Sequence, residues 1–214
     1  MLSVLLTVVG VVLVFAEEGF ADTSLGHLSL ASRFQQVVFT VVSARTAGFT
    51  IVPIDQLSQA SMLTLMLLMF IGGAPASMAG GVTLSTVGVL AVAVLSTVRG
   101  LPQAVVFGRV LPFETIAKAV AIMTISTLLC FGATLALLAN TDNSLLLVAF
   151  EVISAFSNTG YSLGLTGDLG GFGRIMLCIM MFWGRLGPLT IVVLLAQRQR
   201  PTFARYPAEP IVMG

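Results

Sequence analysis

The sequence predicts an all-α integral membrane protein made of two tandem units, each an outer helix, a re-entrant pore loop and an inner helix. Its composition gives the first reason: 57% of the 214 residues are hydrophobic and 9% are charged, whereas a soluble domain carries about 25% charged residues. The mean hydropathy is +1.05. A chain of this length cannot bury so much apolar surface, so lipid must cover the rest. The second reason is that short apolar segments alternate with long ones. The third reason is an internal repeat.

Charge and chemistry exclude two classes of function. The net charge is +1 and the basic residues are scattered singly, which leaves no footprint for a nucleic acid. An intramembrane protease needs histidine partners, and the single histidine, His27, falls in a predicted outer loop. We therefore expect neither enzymatic activity nor a covalently bound cofactor.

The first pore unit is predicted at residues 1–100. Its outer helix begins in an uncharged but short segment, residues 1–16, for which a secretory signal is the alternative, although no basic residue precedes it. Residues 56–98 carry no charge and would form a straight helix about 65 Å long, twice the thickness of the hydrocarbon. The inner helix, 57–98, must therefore break, and the break is predicted at the glycines and proline of residues 72–81.

The remaining elements follow from length. Two apolar segments are too short to cross a bilayer and are predicted as pore helices. In the first unit, the pore helix is predicted at residues 31–45 and the filter at residues 46–49. The second unit is predicted at residues 101–214. Its elements are the outer helix at 113–140, the pore helix at 144–156, the filter at 158–161 and the inner helix at 174–197.

Charged loops orient the units. Basic residues collect in the connection at residues 99–118 and in the short tail after residue 197, and short cytoplasmic loops are typically rich in Lys and Arg. Most other loops carry acids, with Arg174 as an exception. We therefore place the connection and the tail in the cytoplasm, in a multi-pass protein of the cell membrane.

An internal repeat relates the two units. The segment 39–44 matches 150–155 at an offset of 111 in residue number, and 68–72 matches 180–184 at an offset of 112, so one residue is inserted between the two matches. Two matches in nearly one register indicate duplicated units of the same orientation, which can surround a shared path along the membrane normal.

Non-helical backbone at membrane depth is tolerated only beside protein or a water-filled cavity. Between each pore helix and inner helix lies a glycine followed by an aromatic residue, as in filters whose carbonyl oxygens replace the hydration shell of a cation. The preceding short helix points the negative end of its dipole at the cavity. The predicted filter residues, which would coordinate potassium, are Thr46, Ala47, Gly48, Phe49, Asn158, Thr159, Gly160 and Tyr161.

These motifs resemble those of a known family. Residues 43–49, 69–75, 79–81, 154–155, 162–164 and 184–188 are similar to the third and fourth pore units of the Trk/Ktr/HKT potassium transporters, with the Ktr-type membrane subunit most similar. The resemblance implies four pore units in one polypeptide, a homodimer, and a cytoplasmic nucleotide-binding regulatory ring. Since only two units are present, it also implies a partner, either a missing amino-terminal half or a second copy.

The resemblance further implies a gate below the filter. Arg185, a cation within the inner helix, would form this gate with the broken stretch, and a charge at that depth indicates function. An interhelical clasp to backbone carbonyls is the alternative for Arg185. Arg45 is expected to support the filter, paired with Glu151. The predicted gate residues are Gly72, Gly73, Ala76, Gly80, Gly81 and Arg185.

Three functions remain open at this point. Uptake of potassium, or of sodium, through a carbonyl filter is the main prediction. A secondary transporter with a site at the bilayer midplane also uses broken helices, but usually carries buried acids, and Glu151 is the acid within a membrane-depth segment. A truncated remnant that does not conduct is the third.

Overall fold

The all-α prediction is confirmed by the computed structural model, which describes residues 2–20, 29–74, 79–101, 103–106 and 108–186. The described elements are helices apart from one hairpin of two short strands and a 3-10 turn at Ile54–Gln56. In chain order they are α1 (Leu2–Phe20), α2 (Leu30–Ser43), α3 (Gln59–Phe70), α4 (Leu84–Val98), β1 (Val105–Val106), β2 (Arg109–Val110), α5 (Phe113–Leu138), α6 (Leu145–Ser157), α7 (Leu165–Asp168) and α8 (Gly171–Leu186).

The observed bounds differ from the predicted ones in a few places. Helix α8 begins at Gly171, not at residue 174, and its predicted extension from 187 to 197 lies outside the described residues. Helix α3 ends at Phe70 and α4 begins at Leu84, on either side of the predicted break. The hairpin β1–β2 and the one-turn helix α7 had no counterpart in the prediction.

Each unit packs its outer helix against its own pore helix and inner helix. Helix α1 contacts α2 and α3, and α5 contacts α6 and α8. The units meet where α3 of the first packs against α6 of the second, and where α4 of the first packs against α5 of the second. A buried cluster crosses this junction, because Met66 and Met69 of α3 belong to the same cluster as Phe150 of α6 and Tyr161 of the second filter.

Serine residues begin two of the helices. Ser29 and Ser58 stand just before α2 and α3, and each side chain accepts a bond from a backbone N–H in the first turn, 3.4 Å from Ser32 N and 3.1 Å from Ser61 N. Such caps satisfy donors that the helix itself leaves unpaired.

A buried carboxylate ties α1 to the start of α3. Glu18 is 0% exposed, and its Oε1 accepts a hydrogen bond from Ser58 N at 2.9 Å. Ser58 is the cap of α3, so the negative charge also lies at the positive end of that helix dipole. Glu18 therefore fixes the outer end of α1 against the inner helix of its own unit.

Two helices in the described part of the chain are long and apolar enough to cross a membrane, Leu2–Gly19 and Phe113–Leu138. Three shorter apolar helices accompany them, at Gln59–Phe70, Leu84–Val98 and Leu145–Ser157. Many large apolar side chains point outward from these helices, among them Leu128 and Phe131 of α5. This pattern suits a hydrocarbon environment.

Replacing Glu18 should destabilise the first unit. We expect Glu18→Ala to lower the free energy of unfolding by about 1–3 kcal/mol, since the half-buried Ser58 N loses its acceptor. Thermal unfolding in detergent measures the change, with Glu114→Ala as the control because Glu114 is exposed on α5. Equal effects of the two substitutions would contradict this role of Glu18.

Candidate ion pathway

The two predicted filters have the same unusual backbone. In the first, φ is positive at Thr46 (74°) and at Gly48 (71°); in the second, it is positive at Asn158 (55°) and at Gly160 (90°). The residue between each pair is not among those with positive φ. Each loop therefore places one non-glycine residue and one glycine in the left-handed region of φ, which a residue with a Cβ rarely adopts.

The filters touch each other at a glycine. A Cβ atom at Gly48 would overlap the carbonyl oxygen of Thr159, so only a glycine allows the two strands to approach this closely. Among the described residues, none has an atom within 4 Å of the Cβ position of Gly160, the equivalent glycine of the second filter. The first filter therefore has a neighbour on this side that the second filter lacks within the described part of the chain.

The second filter also braces the first. The hydroxyl of Tyr161 lies 3.0 Å from Thr40 O and 3.3 Å from Phe49 O, and Tyr161 is 1% exposed. Ser43 Oγ donates to the same Phe49 carbonyl at 2.7 Å. The carbonyl that ends the first filter thus accepts a hydrogen bond from Ser43 of its own pore helix and lies within reach of the Tyr161 hydroxyl of the other unit, whose single proton is shared with the nearer Thr40 O.

Glu151 holds the loop that follows the second filter. Its Oε1 accepts bonds from Ser162 Oγ and from Leu163 N, and its Oε2 accepts a bond from Thr166 Oγ1 at 2.9 Å. Ser162 also stands within a Gly-x-Ser-x-Gly string at 160–164, but its hydroxyl donates to Glu151 and the sequence offers it only His27 as a histidine.

The predicted pairing of Arg45 with Glu151 is wrong. Arg45 turns instead toward the outer helix, where its Nη1 donates to Ser3 O at 2.9 Å and to Thr7 Oγ1 at 3.2 Å. Its Nη2 donates to Gly72 O at 3.3 Å. Arg45 therefore links the first filter and α1 to the point where the inner helix breaks.

The break itself is closed by backbone hydrogen bonds. Gly72 N donates to Val82 O at 2.8 Å, and Val82 N donates to Phe70 O at 3.1 Å. These bonds form a parallel bridge between Ile71 and Val82. The chain therefore leaves α3 and returns beside its own end, which satisfies backbone groups that would otherwise face hydrocarbon.

Both sides of the predicted gate contact the end of the second pore helix. A Cβ at Gly80 would lie 2.7 Å from Ser157 O, and one at Gly184 would overlap Phe156 O. Asn158 Nδ2 adds a bond of 3.0 Å to Met181 O of α8. The returning strand and the inner helix thus hold the carboxyl end of α6 between them.

A cavity of about 560 Å³ brings the predicted gate and filter residues together. Its lining residues are Ser3, Thr7, Val42, Arg45, Thr46, Gly73, Ala74, Ala79 and Arg185. Arg185 therefore shares one space with the broken stretch and with the first filter. Gly81 has a φ of 81° beside this stretch, and Ala76 lies outside the described residues.

Several residues that shape the site were not predicted. Thr40, Ser43, Ser162 and Thr166 each supply a hydrogen bond that fixes a filter or its following loop. Ser43 matches Ser154 in the internal repeat, and this match is the sequence signal that could have identified Ser43 as a site residue. Nothing in the sequence pairs Thr166 with Glu151, because that contact depends on the path of the loop.

Comparisons with known proteins agree with this architecture. The profile of the TrkH family, described as a cation transport protein, matches residues 1–204. Ktr system potassium uptake protein B of Vibrio alginolyticus is 34% identical over 98% of this chain and 46% of that protein. Ktr system potassium uptake protein D of Bacillus subtilis (strain 168) is 35% identical, over 99% of this chain and 46% of that protein.

The fold has a solved counterpart as well. The crystal structure of the potassium transporter TrkH from Vibrio parahaemolyticus matches with a TM-score of 0.72 and 25% sequence identity, over 95% of this chain and 43% of that one. The chain spans about half the length of the curated relatives it matches.

The two filter glycines should differ in their tolerance of a side chain. Gly160→Ala should cost about 1–2 kcal/mol, the usual penalty of a left-handed backbone for a residue with a Cβ. Gly48→Ala should cost more, because the Thr159 carbonyl must also move. Thermal unfolding of both variants in detergent tests the order, and an equal or reversed order would contradict the contact between the filters.

Proposed function

The chain belongs to the TrkH family of cation transport proteins, and we propose that it supplies two pore units of a pathway for potassium uptake across the cell membrane. The named relatives in the comparison are potassium uptake proteins. The observation that carries the proposal is the pair of filters with matching positive φ, in contact through Gly48 and the Thr159 carbonyl. Carbonyl oxygens in such strands replace the water around a potassium ion, with sodium as its competitor.

The filter residues have different roles in this proposal. The backbone carbonyls of residues 46–49 and 158–161 coordinate the ion, and the side chains keep those carbonyls in place. Glu151 and Tyr161 do so through hydrogen bonds to the loop and to the neighbouring pore helix. Arg45 supports the first filter from below through its bonds to Ser3 and Thr7.

The gate is the broken stretch at residues 72–82 together with Arg185. A guanidinium in the pathway repels a passing cation, and it can donate up to five hydrogen bonds to nearby carbonyls. The shared cavity supports this role, because Arg185, Gly73 and Ala79 all line it. Opening requires the stretch to move aside, and its small residues permit that motion.

Conduction requires further pore units. Two filters supply half of the four-sided carbonyl cage of a potassium filter, so the pathway is completed by an amino-terminal half or by a second copy. Following the family resemblance, we also propose a homodimeric assembly and a nucleotide-binding ring on the cytoplasmic side. Enzymatic activity, a bound cofactor and a nucleic-acid partner have no place in this mechanism.

A secondary transporter is the weaker alternative. Such a protein would need Glu151 to bind or release a coupling ion or a proton, yet three local donors already hold that carboxylate. A non-conducting remnant is distinguished from a transporter only by measured flux.

The proposal is tested by potassium uptake in bacteria that lack their own uptake systems. The chain is expressed alone, and together with the part of the Vibrio alginolyticus Ktr protein that it does not match. We expect uptake in at least one setting, with preference for potassium over sodium reduced by Gly48→Ser or Gly160→Ser. Absence of uptake in both, with the chain inserted in the membrane, would contradict the proposal.

The gate is tested in whichever setting conducts. We expect Arg185→Ala to raise the rate of potassium uptake several-fold, since the cation that blocks the path and holds the broken stretch is removed. Selectivity should change little, because the filter carbonyls are untouched. Arg174→Ala is the matched control, since Arg174 lies on the same helix and donates to Gly167 O. Wild-type flux in Arg185→Ala would make Arg185 a structural clasp.

A further inference from the structure

Arg45 carries a charge at membrane depth, between the end of the first pore helix and the first filter. A charge in such a position is costly and indicates function, and its hydrogen bonds show what it connects. One end of the guanidinium, Nη1, reaches oxygens of Ser3 and Thr7 on α1. The other end, Nη2, donates to the carbonyl of Gly72. Arg45 therefore joins the outer helix to the point where the inner helix breaks.

The acceptors on α1 are arranged to receive this guanidinium. Thr7 Oγ1 donates its own proton to Ser3 O at 3.0 Å, so its lone pairs are left to accept from Arg45 Nη1 at 3.2 Å. Nη1 also lies 2.9 Å from Ser3 O and 3.1 Å from Ser3 Oγ. The α1 end of the guanidinium thus has three oxygens within hydrogen-bond distance, whereas the Gly72 end has one, at 3.3 Å.

Gly72 is the residue at which the inner helix gives way to the returning strand. Helix α3 ends at Phe70, so the Gly72 carbonyl lies outside the helical hydrogen-bond pattern. Gly72 N donates to Val82 O at 2.8 Å, and a Cβ at Gly72 would overlap the carbonyl oxygen of Gly80. The two ends of the broken stretch therefore pass closely here, and the Gly72 carbonyl takes its donor from Arg45.

The second unit provides a comparison within the same chain. In the registers of the repeat, Arg45 and Gly72 correspond to Phe156 and Gly184, and this pair is also in contact, since a Cβ at Gly184 would overlap Phe156 O. Helix α8, however, continues through Gly184 to Leu186 without a break. The arginine thus stands in the unit whose inner helix leaves a carbonyl without a helical donor, and a phenylalanine stands in the other.

The hydrogen-bond lengths favour a contact that can be released on one side. The bond to Gly72 O, at 3.3 Å, is longer than the usual range of about 2.7–3.2 Å, and it is a single bond. With its other end held by α1, Arg45 can lose this bond and stay in place, together with the adjacent Thr46 of the filter. The broken stretch can then move without disturbing the first filter.

The contact lies beside the space into which the stretch can move. Gly73 and Ala79 of the broken stretch line the cavity of about 560 Å³ together with Arg45 and Arg185. Arg45 reaches the stretch from the α1 side of the first unit, whereas Arg185 belongs to the inner helix of the second. The same stretch is therefore bordered by one arginine from each unit.

We propose that Arg45 is a positioning residue of the gate. It holds the broken stretch against the outer helix α1 through the Gly72 carbonyl, and the gate opens when this bond breaks while the bonds to Ser3 and Thr7 persist. The proposal rests on the gate proposed above and adds a role that differs from that of Arg185, because Arg45 acts on the stretch and does not block the ion. It also makes the outer helix part of the gate.

Thiol labelling measures release of the stretch without any transport. In a Cys130→Ala, Cys178→Ser chain, Ala79→Cys places a thiol in the cavity, and its rate of reaction with a water-soluble maleimide in membranes reports how often the stretch moves. We expect Arg45→Lys to raise this rate several-fold. Lysine keeps the charge and can still bond to α1, but its single ammonium lacks the two-ended guanidinium that also reaches Gly72.

The role of α1 is tested from its own side. Ser3→Ala combined with Thr7→Val removes two of the three oxygens near Nη1 and leaves Ser3 O. We expect a rise in the labelling of Ala79→Cys that is smaller than the rise caused by Arg45→Lys. Labelling at the rate of the unsubstituted background would exclude α1 as the anchor and overturn the proposal.

Two controls separate release of the stretch from a general loosening of the fold. Leu65→Cys in place of Ala79→Cys puts the thiol in the core of α3, where Leu65 is 0% exposed, and Arg45→Lys should not raise its labelling. Arg99→Lys makes the same substitution at an exposed arginine that ends α4, and it should leave the labelling of Ala79→Cys unchanged. Unchanged labelling of Ala79→Cys in Arg45→Lys, or an equal rise at Leu65→Cys, would overturn the proposal.

Potassium uptake, in whichever setting conducts, gives the second readout. Arg45→Lys should raise the maximal rate several-fold while KM and the preference for potassium over sodium stay the same, because the filter keeps its support from α1. A higher KM or a reduced preference, without faster uptake, would make Arg45 a support of the filter alone and overturn its role at the gate. Faster labelling in a chain that does not conduct would support this role of Arg45 and count against the proposed function.

Discussion

Backbone polar groups that leave a helix at membrane depth need partners that hydrocarbon cannot provide, and much of this structure follows from that requirement. The break at residues 71–83 closes on itself through Gly72 and Val82. The end of the first filter receives hydroxyls from Ser43 and Tyr161. Where the structure describes these two segments, protein groups thus supply the hydrogen bonds that hydrocarbon cannot.

The two units have similar backbone conformations at their filters, but different side chains supply the supporting hydrogen bonds. Both filters repeat the same signs of φ, yet Thr40 in the first pore helix corresponds to Glu151 in the second. Thr40 contributes its carbonyl to Tyr161 of the other unit, whereas Glu151 contributes a carboxylate to its own loop. One unit is therefore braced from outside itself and the other largely from within, which makes the chain asymmetric despite its repeat.

The sequence predicts the helices well because length and apolar content decide what can cross a bilayer. Residues 31–45 and 144–156 are too short to span, and the structure has helices Leu30–Ser43 and Leu145–Ser157 there. Arg45 shows where this reasoning fails. Opposite charges in neighbouring pore helices suggest a pair, but Glu151 has three donors close in sequence, and α1 offers Arg45 acceptors at Ser3 and Thr7. Such competition depends on side-chain reach in three dimensions.

The contacts between the filters have a consequence for synthesis of the chain. Thr159 reaches Ala44, and Tyr161 reaches Thr40, across more than half of the polypeptide. At a translation rate of about 5–20 residues per second, the first pore loop emerges on the order of ten seconds before the residues that complete it. During that interval it must sit in the translocation machinery or the bilayer with its last carbonyl only partly satisfied. Because the first half of the chain is synthesised before the second, there is a period in which the nascent chain depends on its insertion machinery to keep the first pore loop away from hydrocarbon.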